Sequence, residues 1–120
     1  MARKENRMSW GSNLVEGASS RDQKVSEDLY MFWGFGNVAV AITNEGLVII
    51  DTSSRNHGDS IVKRIRGITQ LPIHTIIYTH GHLDHIGGAA SFMKDAAERG
   101  DPKPRIIAHE LVSKRLDRYR

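Results

Sequence analysis

Apolar residues are unevenly distributed along the chain, and their spacing predicts strands in its first part. Residues 1–28 are mostly polar and are expected to form an N-terminal arm, extended or poorly ordered. Runs rich in β-branched and aromatic residues then predict strands at 29–33, 37–43 and 47–50. The turn residues at 44–46 join the last two strands as a hairpin, apolar enough to be buried on both faces.

Helical spacing follows the hairpin. A first helix is predicted there because four apolar residues recur on one of its faces. These residues are Ile61, Val62, Ile65 and Ile68. Asp59 or Ser60 can cap this helix, and Pro72 follows its end.

The rest of the chain continues the alternation of strands and helices. Strands are predicted at 75–78 and 105–108, with a second helix between them and a last helix beginning near Glu110. The second helix has a set of inward-facing apolar residues, namely Ala89, Phe92, Met93 and Ala96. The resulting order, β-β-β-α-β-α-β-α, predicts a layered α/β domain.

Composition and charge narrow the possible functions. The chain has 120 residues, no cysteine and a formal net charge of +3. The length suits one small domain, and without cysteine a metal would have to be held by histidine and carboxylate. Lysine and arginine are spread along the chain, so we interpret them as solvated surface and expect no nucleic-acid partner. No signal peptide or membrane-spanning run is seen, which predicts a cytoplasmic protein without a membrane partner.

The strongest chemical signal is a cluster of histidines. Three of the six histidines fall within residues 80–85. The segment around them is Thr79-His80-Gly81-His82-Leu83-Asp84-His85-Ile86-Gly87-Gly88. It directly follows the strand predicted to end at Tyr78, and ligands commonly bind beyond the carboxyl ends of strands in α/β sheets.

The spacing within this cluster predicts a metal site. His80 and His82 project to the same side of extended backbone and can chelate one ion, whereas Asp84 and His85 can face a second. Imidazole and carboxylate suit zinc, with iron, manganese or cobalt as possibilities. A surface loop with chance histidines, or a non-catalytic metal trap, would contain the same residue types. The apolar strand before the cluster and the glycines at 87–88 favour a built site.

The cluster also resembles a family signature. The pattern His80-x-His82-x-Asp84-His85, preceded by threonine and followed by two glycines, is similar to the motif of the metallo-β-lactamase-fold hydrolases. The hairpin, the first helix and the motif loop come in that family's order. The resemblance implies an αββα sandwich with metal ions, most simply Zn²⁺ and two per complete domain, with iron or manganese possible.

The resemblance also implies roles for individual residues. His80 and His82 would bind the first metal, and Asp84 and His85 the second. Asp84 would in addition be catalytic, because it would help to orient a metal-activated hydroxide. Asp51 would lie beneath residues 79–88, here called the metal loop, as an acidic partner of the ligands. The alternative is that Asp51 is an aspartate that caps a turn.

The same resemblance implies that the chain is the N-terminal half of such a sandwich. Residues 29–120 would then form a domain that is incomplete at residue 120. The family completes its site with a further histidine, a bridging aspartate and a last histidine, and none of these has an obvious counterpart here. We therefore expect the isolated chain to be inactive or incomplete. It would pair with the missing C-terminal half or form a homo-oligomer.

The implied function is metal-dependent hydrolysis of a small-molecule substrate. A metal-activated hydroxide would cleave an ester, thioester, amide or sulfate-ester bond. The stretch at 108–110 and the basic end at 118–120 faintly resemble alkylsulfatase-type members. Two alternatives remain open: a non-catalytic metal-binding half-domain that pairs with another chain, and a nuclease of the same superfamily.

Other conspicuous residues are expected to lie outside the metal site. His57 and His74 are interpreted as ordinary surface or core-edge residues. His109 is at a position that the resembling family seldom uses as a metal ligand. Three aromatic residues are expected to pack in the core or at its edge rather than to line a pocket: Trp10, Trp33 and Phe35.

Overall fold

The computed structural model describes residues 21–82 and 86–112 of the chain. Within these ranges a six-stranded sheet and two helices are formed. The strands are β1 (Gln23–Ser26), β2 (Leu29–Phe32), β3 (Val38–Thr43), β4 (Gly46–Ile50), β5 (Ile73–Ile77) and β6 (Arg105–Ile107). The helices are α1 (Gly58–Arg66) and α2 (Ala89–Arg99). This architecture confirms the predicted α/β class.

Sheet topology brings three loop segments to one edge. The strands lie side by side in sequence order, with β1 to β4 antiparallel and with β5 and β6 parallel to β4. Short turns suffice between antiparallel neighbours, whereas each parallel pair needs a helical crossover. The carboxyl ends of β4, β5 and β6 therefore meet. We call this the carboxyl edge, made by residues 51–57, 78–82 and 108–110.

The core lies between one face of the sheet and the two helices. Alternate strand positions and the inward faces of both helices form a single buried cluster. Its members are Tyr30, Phe32, Val38, Val40, Leu47, Ile49, Ile61, Ile65, Ile73, Ile76 and Phe92. Ile68 and Met93 pack against this cluster from its margin. The apolar faces predicted for the two helices are thereby confirmed.

Two local features differ from the sequence-based predictions. The strand β1 lies inside the segment predicted to be an N-terminal arm. The sequence does not indicate this strand, because its side chains are mostly exposed and show no apolar periodicity. The predicted cap of α1 is wrong: the helix begins at Gly58 with His57 at the N-cap and no side-chain cap. The Ser54 carbonyl oxygen accepts hydrogen bonds from the N–H groups of His57 and Gly58, so the turn closes before Asp59.

The strand β6 forms one edge of the sheet, and no other strand among the described residues pairs with its outer side. The side chains of Ile106 and Ile107 on β6 are each 48% exposed. Ile50 and Ile77, which pair across β4 and β5 on the face away from the helices, are only partly buried. Neither helix in the described ranges is long and apolar enough to cross a membrane.

Candidate metal centre

The first two predicted ligands lie together just beyond β5. The imidazole rings of His80 and His82 meet edge to face, with 4.7 Å between their centroids and an interplanar angle of 89°. Both residues are exposed at the carboxyl edge, whereas Gly81 between them is buried. The spacing therefore places two imidazoles side by side, as the sequence predicts. Asp84 and His85, the other two predicted ligands, lie outside the described residues.

Backbone hydrogen bonds fix both ends of this loop. The Tyr78 N–H donates to the carbonyl oxygen of Ile107 at 3.0 Å, which extends the pairing of β5 with β6 by one residue. The Ile86 N–H donates to the carbonyl oxygen of His82 at 3.2 Å. The loop is thus anchored to the sheet before His80 and closed by one hydrogen bond across its far side.

Asp51 supports the loop from the neighbouring strand. This residue directly follows β4, is 5% exposed and has a φ of 63°, a region that aspartate and asparagine adopt more readily than most residues. Its backbone N–H donates to the carbonyl oxygen of Ile77 at 2.8 Å. Its carboxylate accepts two hydrogen bonds from Thr79, one from the backbone N–H at 2.8 Å and one from the hydroxyl at 2.7 Å.

Thr79 connects this carboxylate to the first imidazole. Its hydroxyl oxygen lies 2.8 Å from Nδ1 of His80. Asp51, Thr79 and His80 therefore form one hydrogen-bonded chain, although Asp51 and Thr79 are 28 positions apart in sequence. The role of Thr79 was not predicted. The signal for it is the hydroxyl directly before the first histidine of the motif.

The same carboxylate affects the residue before Thr79. Burial raises the pKa of the Tyr78 hydroxyl above 10.0, and the negative charge of Asp51 raises this pKa further. Both causes disfavour a second negative charge next to Asp51. Tyr78 is therefore expected to stay protonated at neutral pH.

The loop after β4 is packed against the start of α2. The Gly88 N–H donates to the carbonyl oxygen of Ser53 at 3.1 Å. A Cβ on Gly88 would overlap the carbonyl oxygen of Thr52, so only glycine fits this position without movement. This contact joins the segment that carries Asp51 to the helix that follows the metal loop.

The candidate ligands that the structure describes, the imidazoles of His80 and His82, form part of a site for a divalent metal. Two adjacent imidazoles are typical of zinc and related ions, and a polar partner on the back of a ligating histidine is typical of metal sites. No group of three or more potential ligands is found within residues 21–82 and 86–112. The two remaining predicted ligands belong to the undescribed stretch 83–85.

The other histidines have separate surroundings. His57 Nδ1 lies 2.6 Å from the hydroxyl oxygen of Ser54 at the start of α1. His109 lies at the carboxyl edge, where its Nδ1 accepts a hydrogen bond from the Leu111 N–H at 3.1 Å, in the manner of a helix cap. His74 lies near the opposite end of β5, and its surroundings are described below.

The aromatic residues do not all pack as predicted. The prediction for Phe35 is wrong, because this side chain is 66% exposed on the loop between β2 and β3. The Ser53 hydroxyl donates to the Phe35 carbonyl oxygen at 2.9 Å, which fixes the backbone and leaves the ring outside. Trp33 is partly buried, with the guanidinium of Arg21 5.4 Å from its ring centroid. Trp10 lies outside the described residues.

We expect Asp51→Asn to lower the free energy of unfolding by about 1–3 kcal/mol, the usual effect of a damaged buried hydrogen-bond partner. Asparagine tolerates the backbone conformation of Asp51, so the substitution removes the charge and one acceptor without adding strain. Urea denaturation measures this change. Asp59→Asn, in the exposed first turn of α1, is the matched control and should change stability by no more than about 0.5 kcal/mol. Equal stability of both variants and wild type would show that the Asp51 carboxylate is not needed.

Comparison with known proteins identifies the family. The profile of the metallo-beta-lactamase superfamily matches residues 31–112, well over half of the chain. The chain therefore belongs to the metallo-beta-lactamase superfamily. The matched range contains the last two residues of β2, the strands β3 to β6, both helices and the metal loop.

Individual relatives show how much of a longer protein this chain represents. A 2,4-dinitroanisole O-demethylase subunit alpha from Nocardioides sp. is 49% identical over 78 residues, which cover 61% of this chain and 21% of the relative. The alkyl/aryl-sulfatase BDS1 of Saccharomyces cerevisiae is 34% identical over 77 residues, covering 61% of this chain and 12% of the relative. The match thus spans 21% of one relative and 12% of the other.

A solved structure supports the same fold assignment. A B3 metallo-beta-lactamase with an active-site glutamic acid superimposes with a TM-score of 0.64 at 25% sequence identity. The match covers 95% of this chain and 39% of that structure's chain. The predicted resemblance to the metallo-β-lactamase fold is confirmed.

Proposed function

We propose that the chain is the metal-binding N-terminal part of a metal-dependent hydrolase. The observation that carries this proposal is the pair of adjacent imidazoles of His80 and His82, backed by the buried Asp51 carboxylate through Thr79. The pair lies at the carboxyl edge of the sheet, the usual place for a site in α/β folds. A polar surface loop would not need a buried acidic partner behind its first histidine.

We assign the metal ligands as the sequence motif predicts them. His80 and His82 hold one ion, and Asp84 and His85 hold a second, with Zn²⁺ as the ion in both positions. Divalent ions in such a set supply a water-derived nucleophile at neutral pH. Asp84 orients that nucleophile, and Asp51 orients the loop through Thr79. Further ligands come from polypeptide outside this sequence.

For the bond that is cleaved, we propose a sulfate ester of a small organic molecule. The support is the relative named an alkyl/aryl-sulfatase, 34% identical over 77 residues. Cleavage of an aryl methyl ether is the second candidate, because the relative named an O-demethylase is 49% identical over 78 residues. Assays of the full-length protein with an aryl sulfate and an aryl methyl ether of the same phenol separate the two. Release of phenol from neither substrate would contradict both assignments and favour a non-catalytic metal-binding module.

The metal site is tested by calorimetric titration of the chelator-treated protein with Zn²⁺. Wild type is expected to bind the ion, and His80→Ala should weaken binding by more than about 100-fold, since changes behind a ligand alone cost about 10- to 100-fold. His74→Ala is the matched control, because His74 lies on β5 near the end opposite to the one that leads into His80. It should bind like wild type.

Two outcomes would refute this metal site. One is the absence of Zn²⁺ binding by the wild-type protein. The other is equal weakening of binding by His80→Ala and His74→Ala, which would indicate a general loss of structure. Circular dichroism of each variant shows whether the fold is retained.

A further inference from the structure

We propose that Thr79 is a positioning residue that fixes the tautomer of His80. Its hydroxyl holds the hydrogen of the imidazole on Nδ1, so that Nε2 carries the lone pair offered to a metal. This inference rests on the proposed metal site, which it deepens. It concerns the metal-free protein as much as the loaded one, because the hydrogen bonds that carry it belong to the chain itself.

The Thr79 hydroxyl has a single hydrogen to donate. That hydroxyl lies 2.7 Å from Oδ2 of Asp51, and an ionised carboxylate can only accept. The hydroxyl hydrogen is therefore given to Asp51. The contact of the same hydroxyl oxygen with Nδ1 of His80, at 2.8 Å, then requires the imidazole to donate. The network of partners thus fixes the position of each hydrogen.

The position of the carboxylate makes this direction hard to reverse. Asp51 is 5% exposed and also receives the backbone N–H of Thr79 at 2.8 Å. Two donors from one residue fix both the backbone and the side-chain rotamer of Thr79 against the end of β4. The hydroxyl cannot turn toward His80 as a donor without leaving the buried carboxylate short of a hydrogen bond, which is costly.

A second threonine–histidine pair, His74 and Thr75 on β5, shows the opposite arrangement. The Thr75 hydroxyl oxygen lies 2.7 Å from Nδ1 of His74, but the carboxylate is on the other side of this ring. Glu45 Oε2 lies 3.3 Å from Nε2 of His74. Here the hydrogen belongs on Nε2, and Nδ1 accepts from threonine. The placement of the carboxylate thus decides which nitrogen of each histidine carries the hydrogen.

The tautomer is tested by ¹⁵N NMR of the metal-free protein at about pH 8. Wild type should show the hydrogen of His80 on Nδ1 and that of His74 on Nε2. His80→Gln and His74→Gln assign the two sets of ring signals. In Thr79→Val, the His80 signals should move to the values of a mixture of tautomers, whereas those of His74 should not move.

The consequence for the metal is tested by Zn²⁺ titration of the same proteins. Thr79→Val should weaken binding by about 10- to 100-fold, the usual effect of removing a partner behind a ligating histidine. Thr79→Ser keeps the hydroxyl and should restore binding close to wild type. Thr75→Val is the matched control, because it removes the same kind of hydroxyl–imidazole contact four residues earlier. It should leave Zn²⁺ affinity unchanged.

The outcomes separate this inference from the proposed metal site. If wild type binds no Zn²⁺, the metal site is refuted, while the NMR result still decides the tautomer of His80. If wild type binds Zn²⁺ and Thr79→Val binds it equally well with unchanged His80 signals, the positioning role is refuted and the metal site stands. Equal weakening by Thr79→Val and Thr75→Val would also overturn the proposal.

Discussion

Gly88→Ala is expected to destabilise the fold by about 3 kcal/mol or more, at the upper end of the range for overpacking a close contact. The added methyl group would overlap the carbonyl oxygen of Thr52, and the carbonyl oxygen of Ser54 is also close. Both are backbone atoms, so they cannot yield by changing a rotamer. Gly88 has a φ of −83°, which alanine adopts easily, and the whole effect therefore comes from the overlap. Guanidinium denaturation measures the loss.

The opposite end of the same helix provides the control. Gly100 caps α2 with a φ of 74° and has no atom within 4 Å of the position of a Cβ. Gly100→Ala therefore adds only the strain of a left-handed conformation, about 1–2 kcal/mol. If Gly88→Ala costs no more than Gly100→Ala, the close approach of α2 to the loop after β4 is not a constraint on the fold.

The close approach at Gly88 also links stability to the metal loop. Thr52 and Ser53 directly follow Asp51, and both are fully buried between the sheet and the start of α2. A shift of this segment would move the carboxylate that receives the two hydrogen bonds of Thr79. We therefore expect Gly88→Ala to weaken Zn²⁺ binding as well, without a change in any ligand.

Hydrophobic periodicity predicts most of this fold because most of its elements are amphipathic or buried. Ile61 and Ile65 face the sheet from α1, and Phe92 and Ala96 do so from α2, as the spacing of apolar residues indicates. The hairpin of β3 and β4 is equally clear, since a turn at 44–45 separates two runs of β-branched residues. In these segments the local pattern and the tertiary packing agree, which is why the sequence is sufficient.

Elements held mainly by backbone pairing are not predicted. The strand β1 is polar and exposed, and its order comes from antiparallel pairing with β2. The N-terminal end of α1 depends on the carbonyl oxygen of Ser54 rather than on a side-chain cap. The exposed ring of Phe35 follows from the way Ser53 holds its backbone. None of these contacts leaves a periodic signal in the sequence.

The candidate metal site is likewise predictable from the sequence only in part. Its two described imidazoles are close in sequence, and their alternation along extended backbone is sufficient to predict that they meet. Their support is not local, because Asp51 reaches the loop only through the parallel pairing of β4 with β5. The resemblance to the family indicated an acidic partner at Asp51. The role of Thr79 between Asp51 and His80 could not be predicted from the sequence, because it depends on the register in which β4 pairs with β5.

The second large effect is expected at the ion pair between Asp22 and Arg64. The two side chains are 2% and 4% exposed, and the guanidinium donates to both carboxylate oxygens at 2.8 Å. Arg64 also donates to the carbonyl oxygen of Trp33 at 2.7 Å, while Asp22 accepts from the N–H of the same tryptophan at 2.7 Å. This network joins the start of β1 to the end of β2 and to α1.

Asp22→Ala is expected to lower the free energy of unfolding by about 3–5 kcal/mol, because it leaves the Arg64 charge buried without its carboxylate. Urea denaturation measures the loss. The combined change Asp22→Leu with Arg64→Met removes both charges and should cost much less than the sum of the single changes. The pair of Lys24 and Glu27, 3.8 Å apart, supplies the control. The Glu27 side chain is 51% exposed, so Glu27→Gln should cost less than about 1 kcal/mol. A strictly additive double variant would contradict the coupling, and the strength of the network would then lie in the backbone contacts of Trp33.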